Sequence, residues 1–78
     1  MKSSEVLAAN VRRLRVASGW SKLDLSRKTR PTVTNHSIWR LEANDLKTVS
    51  LDQVDALARA LNVPPKYLLT NIEQGEEL

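Results

Sequence analysis

His36 is the only histidine and there is no cysteine, so neither a thiolate nucleophile nor a disulfide nor a thiolate metal site can exist, and a lone imidazole does not build a metal centre. No carboxylate stands at motif spacing to orient His36, and no glycine-rich loop is present to cradle a phosphate. Enzyme chemistry is therefore not expected, and neither a cofactor, a metal nor a small-molecule ligand is expected. What remains is charge. Between Met1 and Thr48 lie ten bases (Lys2, Arg12, Arg13, Arg15, Lys22, Arg27, Lys28, Arg30, Arg40 and Lys47) against four acids. From Val49 to Leu78 the balance reverses, with two bases against five acids. A positive field concentrated in one half attracts phosphate backbones through release of condensed counterions. On charge alone, a merely solvated surface is an equal alternative.

The elements that must carry these charges follow from apolar spacing. Leu7, Val11 and Leu14 share one face of a helix expected from about Ser4 to Ser18. Ser3 or Ser4 can cap it, Glu5 suits its positive end, and Gly19 supplies the left-handed residue that stops it. Ser21 with Asp24 forms a capping box, so a short second helix runs to Lys28 or Thr29. Pro31 breaks the pattern by disfavouring helical geometry at Arg30. Thr34 caps a third helix, roughly Thr34 to Ala43, with Ile38 and Leu41 as its inner stripe, Val33 as a staple and Asn44 as its stop. Ser50 and Gln53 make another capping box before Val54, Leu57, Ala58 and Leu61, which end near Asn62. Proline at Pro64-Pro65 opens a last short helix carrying Leu68 and Leu69.

The expected fold is all-α, a bundle of five short helices forming one domain over residues 1–70, with 71–78 as an acidic flexible tail. No apolar run approaches the ~20 residues of a bilayer span, and Met1 to Ser4 has no signal-peptide core, so the chain reads as soluble and cytoplasmic.

Two short helices joined by a turn, the second polar at its start, already suggest a helix-turn-helix. The segments Gly19-Trp20-Ser21-Lys22-Leu23-Asp24-Leu25, Val33 to Glu42, Ala58-Arg59-Ala60-Leu61-Asn62-Val63 and Tyr67-Leu68-Leu69 together resemble the Cro and phage-repressor (XRE-like) type of helix-turn-helix domain, over about Leu7 to Thr70. Two departures stand out: the turn around Arg30-Pro31-Thr32 is about two residues longer than usual, and Asn44 replaces the common glycine. Asparagine tolerates the left-handed region, so that change is benign.

The resemblance implies that Asn35, His36 and Arg40 face base edges in the major groove and that Lys22 meets a phosphate. Their chemistry agrees: Asn35 can pair with adenine and Arg40 with guanine, each through two hydrogen bonds, and His36 can donate or accept. Trp39 sits off the Ile38–Leu41 face, so it either contacts a thymine methyl or covers the lengthened turn, the second being preferred. Ser21, Thr34, Ser37, Lys47 and Ser50 are further phosphate candidates, since helix N-termini present free amides to anions; capping and solvation are the plain alternative. Arg15 and Glu42 resemble a pair that in this family forms an ion pair joining the first helix to the third, a structural role.

By the same resemblance the chain is expected to be a sequence-specific repressor of Cro-like or controller type, prokaryotic or phage, acting by occupancy of a short double-stranded DNA operator. One helix contacts few base pairs, so a homodimer through residues 64–72 on a roughly palindromic site is expected, with Tyr67 and Leu69 shared across the twofold axis; a monomeric repressor, its apolar residues all spent in the core, is the alternative. A protein-binding antitoxin or adaptor module on the same fold is the alternative.

Overall fold

The computed structural model describes residues 3–45 and 49–69, and for residues 3 and 4 the backbone alone. Among them are five helices and no strand: α1 (Ser3–Ala17), α2 (Lys22–Thr29), α3 (Asn35–Glu42), α4 (Leu51–Leu61) and α5 (Pro65–Leu68). The expected helix 3 is shorter by its two end residues, because Thr34 and Ala43 act as caps with non-helical backbone. Capping by Ser3 or Ser4 lies outside the described side chains, and the tail 71–78 outside the described residues.

Local signals set the helix ends. At Ser21 the hydroxyl accepts from the Asp24 amide at 3.0 Å while the Asp24 carboxylate accepts from the Ser21 amide at 2.9 Å. Ser50 and Gln53 repeat the exchange at 3.1 and 3.0 Å. α1, α3 and α4 stop on the same device, a left-handed residue followed by an amide that reaches back one turn. Gly19 has φ 76°, and the Trp20 amide donates to the Arg15 carbonyl at 3.1 Å. Asn44 (φ 59°) precedes the Asp45 amide, which donates to Arg40 at 2.8 Å, and Asn62 (φ 61°) precedes Val63, which donates to Ala58 at 3.0 Å. This satisfies carbonyls that a helix end otherwise leaves open.

One core joins all five helices. Leu7, Ala8 and Val11 from α1, Leu25 from α2, Val33 from the turn, Ile38 and Leu41 from α3, Val54, Leu57, Ala58 and Leu61 from α4 and Leu68 from α5 are buried together. Leu14 is only half-buried against this cluster, and Leu69, which the sequence pairs with Leu68, faces out. Two buried polar residues stitch the weak joints. Asn10 donates from its amide to the Leu68 carbonyl at 2.8 Å, tying the end of α5 to α1. Thr29, the last residue of α2, has its hydroxyl 3.0 Å from the Val33 carbonyl and 3.1 Å from that of Leu25, while the Val33 amide donates to the Thr29 carbonyl at 3.2 Å. The five residues between α2 and α3 are thus clamped at both ends by one threonine, and this is what holds the lengthened turn in shape.

Candidate nucleic-acid interface

α3 is polar outside and anchored inside. Ile38 and Leu41 are buried, and at 100° per residue they put His36, Trp39, Arg40 and Ala43 on the opposite side, where all four are exposed. Behind the helix, Glu42 takes both of its oxygens to Arg15: Nε to Oε2 at 2.7 Å and the Arg15 NH2 group to Oε1 at 2.9 Å. The remaining fork of Arg15 donates to the Trp20 carbonyl at 2.7 Å, so α1, α3 and the entry to α2 meet at one guanidinium. The pair is withdrawn from water, with side chains 11% and 3% exposed. Its hydrogen bonds to Glu42 raise the Arg15 pKa against the opposing effect of burial, so the guanidinium stays charged.

The outer residues are already engaged with neighbours. Lys22, the first residue of α2, lays its Nζ 3.7 Å from the centroid of the ring of Trp39, a residue that is 55% exposed. The structure thus gives Trp39 a partner at the start of α2, which local spacing did not announce: a helix-to-helix contact of this kind leaves no mark in it. Arg40 donates to the Asp45 carbonyl at 3.0 Å and lies 3.6 Å from the Asp45 carboxylate, with both side chains largely in water. An exposed pair of this kind contributes little stability, so a base can displace Asp45. Asn35 is half-buried, and its Oδ1 is shut off from solvent with no hydrogen-bond partner. Pairing with adenine uses that oxygen as well as the amide, so it requires the side chain to turn over; an oxygen unbonded where it sits offers little resistance.

The hydroxyls expected near phosphates sit at helix starts. Ser21, Thr34 and Ser50 are the N-caps of α2, α3 and α4, and the Thr34 hydroxyl accepts from the Ser37 amide and reaches the Ser37 hydroxyl, both at 3.2 Å. Capping uses their acceptor capacity, and a hydroxyl also carries a donor. Asp24 shares the α2 start: its bonds to the Ser21 amide and hydroxyl hold its carboxyl below the ordinary range, with Arg27 and Lys28 adding to the effect. Lys47 lies outside the described residues.

An all-α chain in which a short helix is clamped to the next by a five-residue turn, with the second helix polar outside and braced from behind, defines a helix-turn-helix protein. The chain belongs to the helix-turn-helix domain family, whose model matches residues 6–69, and the XRE-like DNA-binding character that Gly19 to Leu25 and Val33 to Glu42 imply stands with it. Among solved structures it is similar to a hypothetical transcription factor, NHTF, from Neisseria, at 27% identity and TM-score 0.84, over 95% of this chain and 82% of that one. No curated protein matches it. Among the described residues, no helix is long and apolar enough to cross a membrane, and no group of three or more His, Cys, Asp or Glu side chains could hold a metal.

Proposed function

We propose that this chain is a sequence-specific transcriptional regulator that inserts α3 into the major groove of a short double-stranded DNA operator and acts there by occupancy, as a Cro-like or controller-type repressor. The observation that carries the reading is the outward face of α3, where His36, Trp39 and Arg40 stand exposed on a helix held rigid by Ile38, Leu41 and the Arg15–Glu42 pair. In this reading Arg40 exchanges Asp45 for guanine, Asn35 and His36 address neighbouring base edges, and the N-caps at Ser21, Thr34 and Ser50, with Ser37, Lys22 and Lys47, fix the register on phosphates. The chemistry asked of the chain is binding, not catalysis. Two copies on a roughly palindromic site follow from the small reach of one helix.

Selection from a random duplex pool tests this. The expected result is one enriched motif, bound with an affinity that falls with salt at a slope of about −0.9 per phosphate neutralised, and two chains per duplex. No enrichment, together with duplex binding that ignores salt, would overturn the reading and favour a protein-binding adaptor.

A further inference from the structure

We propose that Trp39 reads the C5-methyl group of a thymine in the major groove, and that Lys22 is the positioning residue that sets the ring for it. The inference rests on α3 being the groove-entering helix. Trp39 lies beside His36 on the outward face of α3, about 60° around the helix from it and about 100° from Arg40, and more than half of its surface is open to water. A large indole in that place meets whatever the helix meets. Most of what the base-pair edges offer in that groove is hydrogen-bonding atoms, and the one apolar group that stands out from it beyond a flat C–H is the thymine methyl. Arg40 and His36 can satisfy the polar atoms; the indole carbon edge cannot.

Lys22 makes the ring more than an exposed apolar side chain. Its ammonium, 3.7 Å from the ring centroid, covers one face by cation–π attraction. With that contact in place Trp39 is still 55% exposed, so surface remains for a base, and a ring oriented before binding loses less freedom on binding. Lys22 also opens α2 directly after the Ser21 cap, so the same ammonium can serve a phosphate while it fixes the indole. A purely structural brace between α2 and α3 would make the same contact, yet it would have no bearing on whether a base carries a methyl group.

The test replaces each thymine of the selected duplex, one at a time, by uracil, which removes the methyl and nothing else, and measures affinity by fluorescence anisotropy with the full chain. In the wild-type protein one position in each half-site should lose about fourfold, the worth of one buried methyl. Trp39→Ala should bind the thymine and uracil forms of that position equally while still discriminating base changes elsewhere. Lys22→Met, which keeps the stem and removes the cation, should shrink the thymine-to-uracil ratio as well as weaken all binding. The wild-type scan needs no variant to fold, and the Trp39 ring stands outside the core. A wild-type chain indifferent to every uracil, or a methyl effect that survives Trp39→Ala, would overturn the proposal; an undiminished ratio in Lys22→Met would overturn the role of Lys22. A random pool yielding no enriched sequence would instead overturn the DNA-reading function, and this inference with it.

Discussion

The Arg15–Glu42 pair holds α3 through two parallel hydrogen bonds between side chains largely withdrawn from water. Removing one partner strands the other. Arg15→Met leaves the Glu42 carboxylate, 3% exposed, without a counter-charge, and should cost about 3 kcal/mol in a urea melt. The double substitution Arg15→Met with Glu42→Leu should recover most of that loss, because two apolar side chains remove the stranded charge. This pair was legible in the sequence through the family resemblance. The engagements of Trp39 with Lys22 and of Arg40 with Asp45 were not: the first joins two helices and the second bends around the end of α3, and neither follows from residue type or helical period. The orphaned Asn35 oxygen was equally invisible, since burial of a single atom depends on how the start of α3 docks.

The helices themselves were legible almost to the residue because their ends are set locally. Ser21 with Asp24, Ser50 with Gln53, and the left-handed stops at Gly19, Asn44 and Asn62 each involve residues within one turn of one another. The α2 cap carries a pH signature. Because the folded-state pKa of Asp24 lies below its unfolded value of about 3.9, its contribution is present above that value and is lost as pH falls through the lower, folded one. Asp24→Asn should therefore lower Tm at neutral pH, with the difference from wild type closing as the medium is acidified below pH ~4; a constant difference down to the acid transition would contradict this. The turn is where spacing alone fell short. Pro31 predicted the break, and Arg30 accordingly leaves the helix with ψ 154°, yet the clamp that shapes the five-residue connection is the buried Thr29 hydroxyl, which no pattern announces. Thr29→Val keeps the shape and removes the donor, leaving the Val33 carbonyl short of its partner, and should cost about 1–2 kcal/mol by denaturant titration.

At the scale of the molecule, charge and size direct the reading. Most of the basic surplus falls between α1 and α3 and the acids gather after Val49, so the positive field belongs to one half of the chain. The described residues extend 33 Å in their longest direction, about the rise of one turn of duplex, which is the reach that the proposed half-sites one turn apart ask of each copy. A dimer through residues 64–72 has Leu69 available, at 44% exposure, whereas Leu68 is spent in the core, Tyr67 is half-buried with the Arg13 guanidinium 5.8 Å from its ring centroid, and residues 70–72 lie outside the described part. Leu69→Lys should halve the mass measured by light scattering without loss of helical signal; an unchanged mass would move the interface elsewhere. The central claim, that the outer face of α3 reads base sequence, meets its most direct test in Arg40→Ala, measured against the selected duplex and a scrambled duplex of equal length. The preference between the two should fall by about tenfold or more with Tm unchanged, because an exposed guanidinium that pairs with guanine is worth ~1–3 kcal/mol in discrimination and little in stability. A preference that survives the substitution would contradict the account.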